Sequence, residues 1–563
     1  METVSGPDGE LEASLDPVNP ERAFSVTREG RTVIEPSPVG LNAHGPLLTE
    51  GFRITDTERR SVEESYETPH GKRRRHDHRA REATFTLETP DERVVEFDLR
   101  VSDSGVAYRY RVPLHDTTMV FGESSGFRFP PATTAWLHGL TNNHEATGRA
   151  TPMLEANGEY DLPGLFDTGE DWVLLAEAGV DGSYAAGHLS GDGAGGVRIA
   201  HPDTSVWGRD ELETPWRVAV VGDLGTVVES DLIPSLNEAP ESDFEWVEPG
   251  RVAWSWWSES DSPSDFERQQ DYVDYAAERG WEYVLVDEGW STDWVPNLVA
   301  YADERDIGVL VWSHFTELLD ADERRERLAR WSEWGVAGIK VDFMDHDDHG
   351  RMAFYESLAE DAAAEKLLVN FHGSVVPTGL ERRYPHVMTY EGVKGAEHLK
   401  WATLAPTHNA VLPFTRNAVG PMDFTPVTFS AEKRHTTEAH ELALSVVYES
   451  GLQHFADSVD AYAERPVAES VLEDVPAAPE ETRFLRGEPG SEATIARKAG
   501  GEWFVGSIVA GAARVIELDV SGFDAEEAHL VRDGESGLVA ETVDANGAVE
   551  ISVERNGGFV LRL

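Results

Sequence analysis

The chain has 563 residues, with 104 Asp and Glu against 48 Lys and Arg, a formal net charge of −56, and no cysteine. Such a balance repels nucleic acid and anionic membranes, and the missing cysteines exclude disulfides, zinc–thiolate sites and a cysteine nucleophile. Only 7 of the basic residues are Lys. An acidic surface of this size resists its own repulsion only when cations screen it, so the composition points to a protein built for high salt and makes any lone carboxylate uninformative. The opening stretch METVSGPDGELEASLDPVNP has no basic n-region and no apolar h-region, the run Lys72 to Arg75 lies too deep for a twin-arginine signal, and no apolar window reaches membrane length. A cytoplasmic location is the expectation.

Residues 1–245 read as all-β. Alternating segments such as RTVIEPS, EATFTLETP and RVVEFDLRVSDSGVAYRYRVP are separated by turns such as SDSG and GDGAGG, the pattern of a large sandwich. From EWVEPGRVAW onward apolar strands alternate with amphipathic helices. Strands are expected at Val252–Trp257, Tyr283–Asp287, Gly308–Phe315, Ile339–Phe343, Leu367–Phe371 and His386–Tyr390, and a last one at Gln453–Asp457 after a long loop and a helix. Helices are expected at Phe266–Arg279, Val295–Arg305, Ala321–Gly335 and Gly350–Ala364. About eight such strands over residues 246–478 fit a (β/α)8 barrel. A doubly wound sheet is the alternative, but no glycine-rich phosphate loop follows the first strand. Residues 479–563 return to β, with EWFVGSIV, RVIELDVS and GFVLRL, as a small sandwich.

Active sites of parallel barrels lie at the C-terminal strand ends. Here those ends read WSWWSES, VDEGW, WSHF, KVDFMDHD, VNFHG, TYEGVKGAEH and HFADS. Buried charge is costly unless paired or used, so polar residues on most strand ends argue for one polar cleft. Asp342 and Glu397 follow the fourth and sixth strands, and side chains reaching inward from them could approach the roughly 5–5.5 Å of a retaining glycosidase pair. Asp287, Trp290, His314, Lys340, His372 and Trp256 are candidates for touching substrate, with Trp290 the better stacking platform and Lys340 on the same strand face as Asp342. Asp345, Asp347 and Asp348 are read as capping the helix from Gly350; DHDDHG lacks EF-hand spacing. Asp457 is read as structural.

The segments GRVAWSWW, YVLVDEGW, GVLVWSHF, GIKVDFMDHDD, VNFHGSVVPTG and EGVKGAEH resemble the barrel motifs of glycoside hydrolase family 97, which contains α-glucosidases and α-galactosidases with a calcium ion in the site. The resemblance implies a multidomain α/β plus β fold, a central (β/α)8 barrel between an N-terminal β-super-sandwich and a C-terminal β-sandwich. It also implies the retaining branch, because Asp342 matches the nucleophile and the fifth strand ends in NFHG, without the inverting branch's base. Glu397 then matches the general acid/base and Glu391 a calcium ligand, with a further ligand from the N-terminal sandwich, Glu177 in LLAEAGV or Glu145 in NNHEATG. The implied activity is a calcium-assisted, exo-acting retaining α-galactosidase working on an α-linked galactoside. An α-glucosidase acting on the corresponding glucoside, an inactive carbohydrate-binding protein and a metal-dependent hydrolase of other bonds are the rivals.

Overall fold

The structure is a computed structural model, and it is described for every residue except 44–45, 114–117, 203–205 and 209–210. The N-terminal unit is a β-sandwich in which 17 strands form one hydrogen-bonded network, beside a four-stranded sheet. Its longest hairpin pairs Arg53–Glu67 with Arg75–Glu88 in antiparallel register, from Arg53 opposite Glu88 to Glu67 opposite Arg75. The turn of that hairpin leaves the sandwich and is held by the rest of the chain. His70 Nε2 lies 2.9 Å from the Pro385 carbonyl, and Lys72 Nζ donates to the Ser230 and Ala418 carbonyls at 2.8 and 2.6 Å. Thr482 Oγ1 of the C-terminal sandwich donates to the Lys72 carbonyl.

The central unit is a parallel sheet whose strands are Gly250–Trp254, Tyr283–Val286, Gly308–His314, Gly338–Asp342, Leu368–Phe371, Val387–Tyr390 and Leu452–Phe455. Each pairs with its chain neighbour, and the last returns to pair with the first, with Gly250 beside Leu452. Near-continuous Val, Leu and Ile make these strands insoluble on both faces, so helices Phe266–Arg279, Val295–Asp303, Ala321–Trp334 and His349–Ala364 cover the outside. Asp265, Asp320 and Asp348 cap three of those helices by accepting backbone N–H groups of their first turns. Asp348 thus takes the capping role expected of the DHDDHG run.

Seven strands are regular, and the position between the sixth strand and the last is filled by irregular chain. There the Asp423 N–H donates to the Tyr390 carbonyl at 2.8 Å and the Ala456 N–H to the Pro426 carbonyl at 3.2 Å, which bridges the two sheet edges. Thr425 and Val427 have φ of 52° and 69°, a left-handed conformation that breaks any strand ladder. The first strand stops at Trp254 rather than Trp257, because Ser255–Trp257 turn away from the sheet. The C-terminal sandwich packs a six-stranded antiparallel sheet against a two-stranded one. The main apolar core is continuous across all three units, running from Leu174 and Val218 through the barrel to Ile495 and Ile508.

Candidate active site

The inner face of the fourth strand sets the site. Period-2 alternation puts Lys340 and Asp342 on one face, and parallel register places Trp312 beside Lys340, His314 beside Asp342 and Asn370 on the far side of Lys340. Lys340, 3 % exposed, donates to Asp287 Oδ2 at 2.9 Å and lies 3.9 Å from Asp342 Oδ2. Its ammonium also sits 4.7 Å from the Trp254 ring centroid, while Trp254 Nε1 donates to the same Asp287 oxygen at 2.7 Å. Burial opposes the Lys340 charge, but Asp287, then Asp342 and Glu397, push its pKa well above the ordinary value. A lysine locked in this way is a fixed cation in the barrel floor.

Asp342 is gripped at both oxygens. Trp312 Nε1 donates to Oδ2 at 2.9 Å and the Phe343 N–H to Oδ1 at 2.6 Å. Burial pulls its pKa upward, yet Lys340, His372 and these two N–H donors hold it below the usual carboxylate value. Glu397 sits in the one-turn helix Ala396–Lys400, whose loop is tied down where Trp257 Nε1 donates to the Glu397 carbonyl at 3.2 Å. Burial first, and the Glu391 charge second, raise the Glu397 carboxyl well above its ordinary range, against Lys340 and His372. Two carboxyl groups within each other's field are thus pushed apart, Asp342 downward and Glu397 upward.

A second cluster adjoins them. His372 Nδ1 lies 3.1 Å from Glu391 Oε2 and its Nε2 lies 2.9 Å from Asp423 Oδ2. Burial opposes protonation of His372, but Glu391 and Asp423 raise its pKa well above the ordinary value. Asp423 also accepts from Asn370 Nδ2 at 2.7 Å and lies 3.0 Å from His454 Nδ1. Despite burial, His454 and His372 hold the Asp423 carboxyl far below the carboxylate range. Glu391 is oriented by the Gly373 N–H at 2.7 Å. Gly373 has φ of 50°, and a β-carbon on it would come within 3.1 Å of the Phe343 Cα, so only glycine lets the fifth strand end pass so near the fourth. Arg416 ties down the Glu391 main chain by donating to the carbonyls of Tyr390, Glu391, Gly392, Gly420 and Pro421.

Ligand atoms of His372, Glu391 and Glu397 lie within 4.8 Å of one another. Glu391 Oε1 is buried without a hydrogen-bond partner, and the Glu145 carboxyl, from the N-terminal sandwich, is pushed up to about 7 by burial and by Glu391. Glu145 Oε2 contacts His398 Nε2 at 3.1 Å. Crowded carboxylates with a spare buried oxygen suit a hard, oxygen-liganded cation, with Glu145, Glu391 and Glu397 as the residues that could hold it.

Two expected residues, Glu177 and Trp290, fall elsewhere. Glu177 is not in this cluster. It stands directly across from Arg217 in antiparallel register, and both Glu177 and Glu123 are paired with the buried Arg217 guanidinium, while the Gly187 N–H donates to Glu177 as well. Trp290 points away from the cleft. Its Nε1 donates to the Trp312 carbonyl at 2.7 Å, and its ring meets Trp331 of the outer helix edge-on, 6.0 Å between centroids. Trp256, beyond its strand, stacks on Trp254 with centroids 5.9 Å apart and carries Lys400 Nζ over its ring at 4.1 Å. His314 is sandwiched between Phe315 and Phe343. Asp457 binds Ser430 through its N–H and hydroxyl, a structural use. Trp312, Asp423, His454 and Arg416 were not singled out from the sequence; the only trace of Trp312 was its place in WSHF on the same face as His314.

Comparison with known proteins identifies the family. Residues 4–239 match the glycosyl-hydrolase 97 N-terminal domain, 246–393 the glycoside hydrolase 97 domain, and 478–563 the glycosyl-hydrolase 97 C-terminal, oligomerisation domain. The chain is 41 % identical over 585 residues to a probable retaining alpha-galactosidase of Streptomyces bingchenggensis, covering 99 % of this chain and 92 % of that one. It is 28 % identical over 651 residues to a retaining alpha-galactosidase of Bacteroides thetaiotaomicron, covering 100 % and 96 %. A solved beta-arabinopyranosidase superposes over the full length of both chains with a TM-score of 0.93 at 28 % identity. The chain therefore belongs to glycoside hydrolase family 97 and is a glycoside hydrolase.

Proposed function

We propose that the protein is a retaining, exo-acting α-galactosidase. The observation that carries this reading is the setting of Asp342 and Glu397 around the buried Lys340: Asp342 is gripped by Trp312 and the Phe343 N–H and its carboxyl is shifted downward, while that of Glu397 is shifted upward. An Asp342 oxygen attacks the anomeric carbon while the bond to the leaving oxygen breaks, and the Glu397 proton passes to that oxygen. Glu397, now a carboxylate, takes a proton from water, whose oxygen displaces Asp342 and leaves the sugar with its α configuration. Trp312 and the Phe343 N–H hold the Asp342 oxygens, and Asp287, fixed by Trp254 and Lys340, would accept a sugar hydroxyl. Glu145, Glu391 and Glu397 would hold a calcium ion. When bound, it would supply positive charge that orients substrate hydroxyls.

The galactoside preference is supported by the relatives' names. A second reading is favoured by the arabinopyranosidase neighbour. A β-L-arabinopyranoside is an α-D-galactopyranoside without its C6 hydroxymethyl group, so one site can meet both rings. Nitrophenyl α-galactoside, β-L-arabinopyranoside and α-glucoside should be compared by kcat/KM, with the released anomer followed by proton NMR. α-Galactose as the first product, and β-galactosyl azide from Asp342→Gly in azide, are expected. β-Galactose as the first product of the native enzyme would overturn the double displacement.

A further inference from the structure

Among the described residues, the Phe and Trp side chains that stand in solvent are Phe121, Phe343 and Trp401, at 47, 46 and 52 % exposure. Phe121 lies on the N-terminal sandwich. The other two flank the catalytic acids in the chain: Phe343 directly follows Asp342, and Trp401 closes the turn that carries Glu397.

Both are held out rather than left loose. Phe343 has φ of 61°, a region a bulky residue enters only at a cost in backbone energy. Its N–H is bound by Asp342 Oδ1, and one ring face stacks on His314, with centroids 5.0 Å apart and planes at 21°. Trp401 meets His398 at 5.4 Å and the edge of Trp256 at 6.5 Å. The adjacent Lys400 fixes this loop by donating to the Trp256 and Trp257 carbonyls at 2.7 and 2.8 Å. A continuous run of contacts joins the two rings through the barrel floor: Trp401, Trp256, Trp254, Lys340, Asp342, Trp312, His314 and Phe343.

The floor of that run is charged and buried, and suits the hydroxyls of the sugar being cleaved. The leaving oxygen must sit beside Glu397, which protonates it, and the leaving group must extend from there toward solvent. The two bare rings border the acids in the chain, Phe343 next to Asp342 and Trp401 at the end of the Glu397 turn, and both stand in solvent. We propose that Phe343 and Trp401 are the walls of a leaving-group subsite, each stacking on the apolar face of a departing pyranose ring. The inference rests on the retaining α-galactosidase reading above.

The test compares two substrates that share a glycosyl-enzyme and differ in leaving group: α-galactosyl-(1→6)-glucose, with a pyranose, and α-galactosyl fluoride, with none. Phe343→Ala and Trp401→Ala should each lower kcat/KM on the disaccharide roughly tenfold, as loss of one stacked ring does, and Trp401→Ala should leave the fluoride within about twofold. Phe343→Tyr, which keeps the ring, should restore the disaccharide rate. Equal losses on both substrates would show that the rings support the catalytic acids instead, and no loss on either would remove the subsite; both overturn the proposal while the parent reading stands. A native enzyme inactive on both substrates would overturn the parent reading and the subsite together.

Discussion

Replacing Lys340 by methionine keeps the length of the side chain and removes the cation 3.9 Å from Asp342 Oδ2. At an effective dielectric of about 20, unit charges at that separation interact by about 4 kcal/mol, equivalent to about three pH units. Asp342 is 18 % exposed, so water at the cleft mouth screens part of this, and a doubled or tripled dielectric leaves roughly one to two units. Lys340 lowers the pKa of Asp342 and also that of Glu397. Its loss therefore raises both. The acid limb of the kcat/KM profile, where Asp342 must lose its proton, moves to higher pH by about one to three units. The basic limb, where Glu397 must keep its proton, moves the same way. The assay is kcat/KM on nitrophenyl α-galactoside from about pH 3 to 10 at constant ionic strength. The absolute rate will change as Asp287 loses its partner; the limb positions carry the test. An acid limb that stays put, or moves to lower pH, would refute the electrostatic role given to Lys340.

Asp423→Asn strips charge from the node that joins His372, His454 and Asn370. Breaking a buried pair of this kind costs about 3–5 kcal/mol, so the thermal midpoint should fall by several degrees and activity with it; an unchanged midpoint would contradict the pairing. After chelation, added calcium should raise the thermal midpoint of the native protein, through a stabilisation of about 2.7 kcal/mol at a hundred times Kd. Glu145→Gln should weaken that response, whereas Glu177→Gln should lower the baseline, because Arg217 loses a partner, and keep the response. The reverse result would return Glu177 to the ion. With a net charge of −56, the protein should lose thermal stability as salt is reduced below about 0.1 M, where the Debye length exceeds about 10 Å. A midpoint that is flat from low salt to molar KCl would remove the high-salt reading.

The barrel was legible because parallel strands buried on both faces leave apolar runs with helical periods between them. The seventh position was not, because GPMDFTPVTF has two prolines and takes left-handed φ at Thr425 and Val427, so no period-2 signal exists. Asp423 was lost with it. Asp342 was found because one sharp polar end to an apolar strand is conspicuous. Glu177 gave the same signal for another reason: its partner Arg217 lies 40 residues away in the chain, directly opposite on the neighbouring strand, and a register between distant strands cannot be read from one of them. Trp290 is of the same kind. Its position after the second strand suggested the cleft, but the turn sends its ring outward to Trp331.

The hairpin turn at residues 68–74 has a mechanical meaning. Its hydrogen bonds reach Pro385 and Ala418 in the barrel, Ser230 in the connecting segment and Thr482 in the last sandwich, so it works as a clasp on which all three parts close. A fragment beginning at the first barrel strand would keep Asp342 and Glu397 yet lose this clasp and Glu145. Trimming this turn would remove at one stroke the hydrogen bonds it makes to all of these parts.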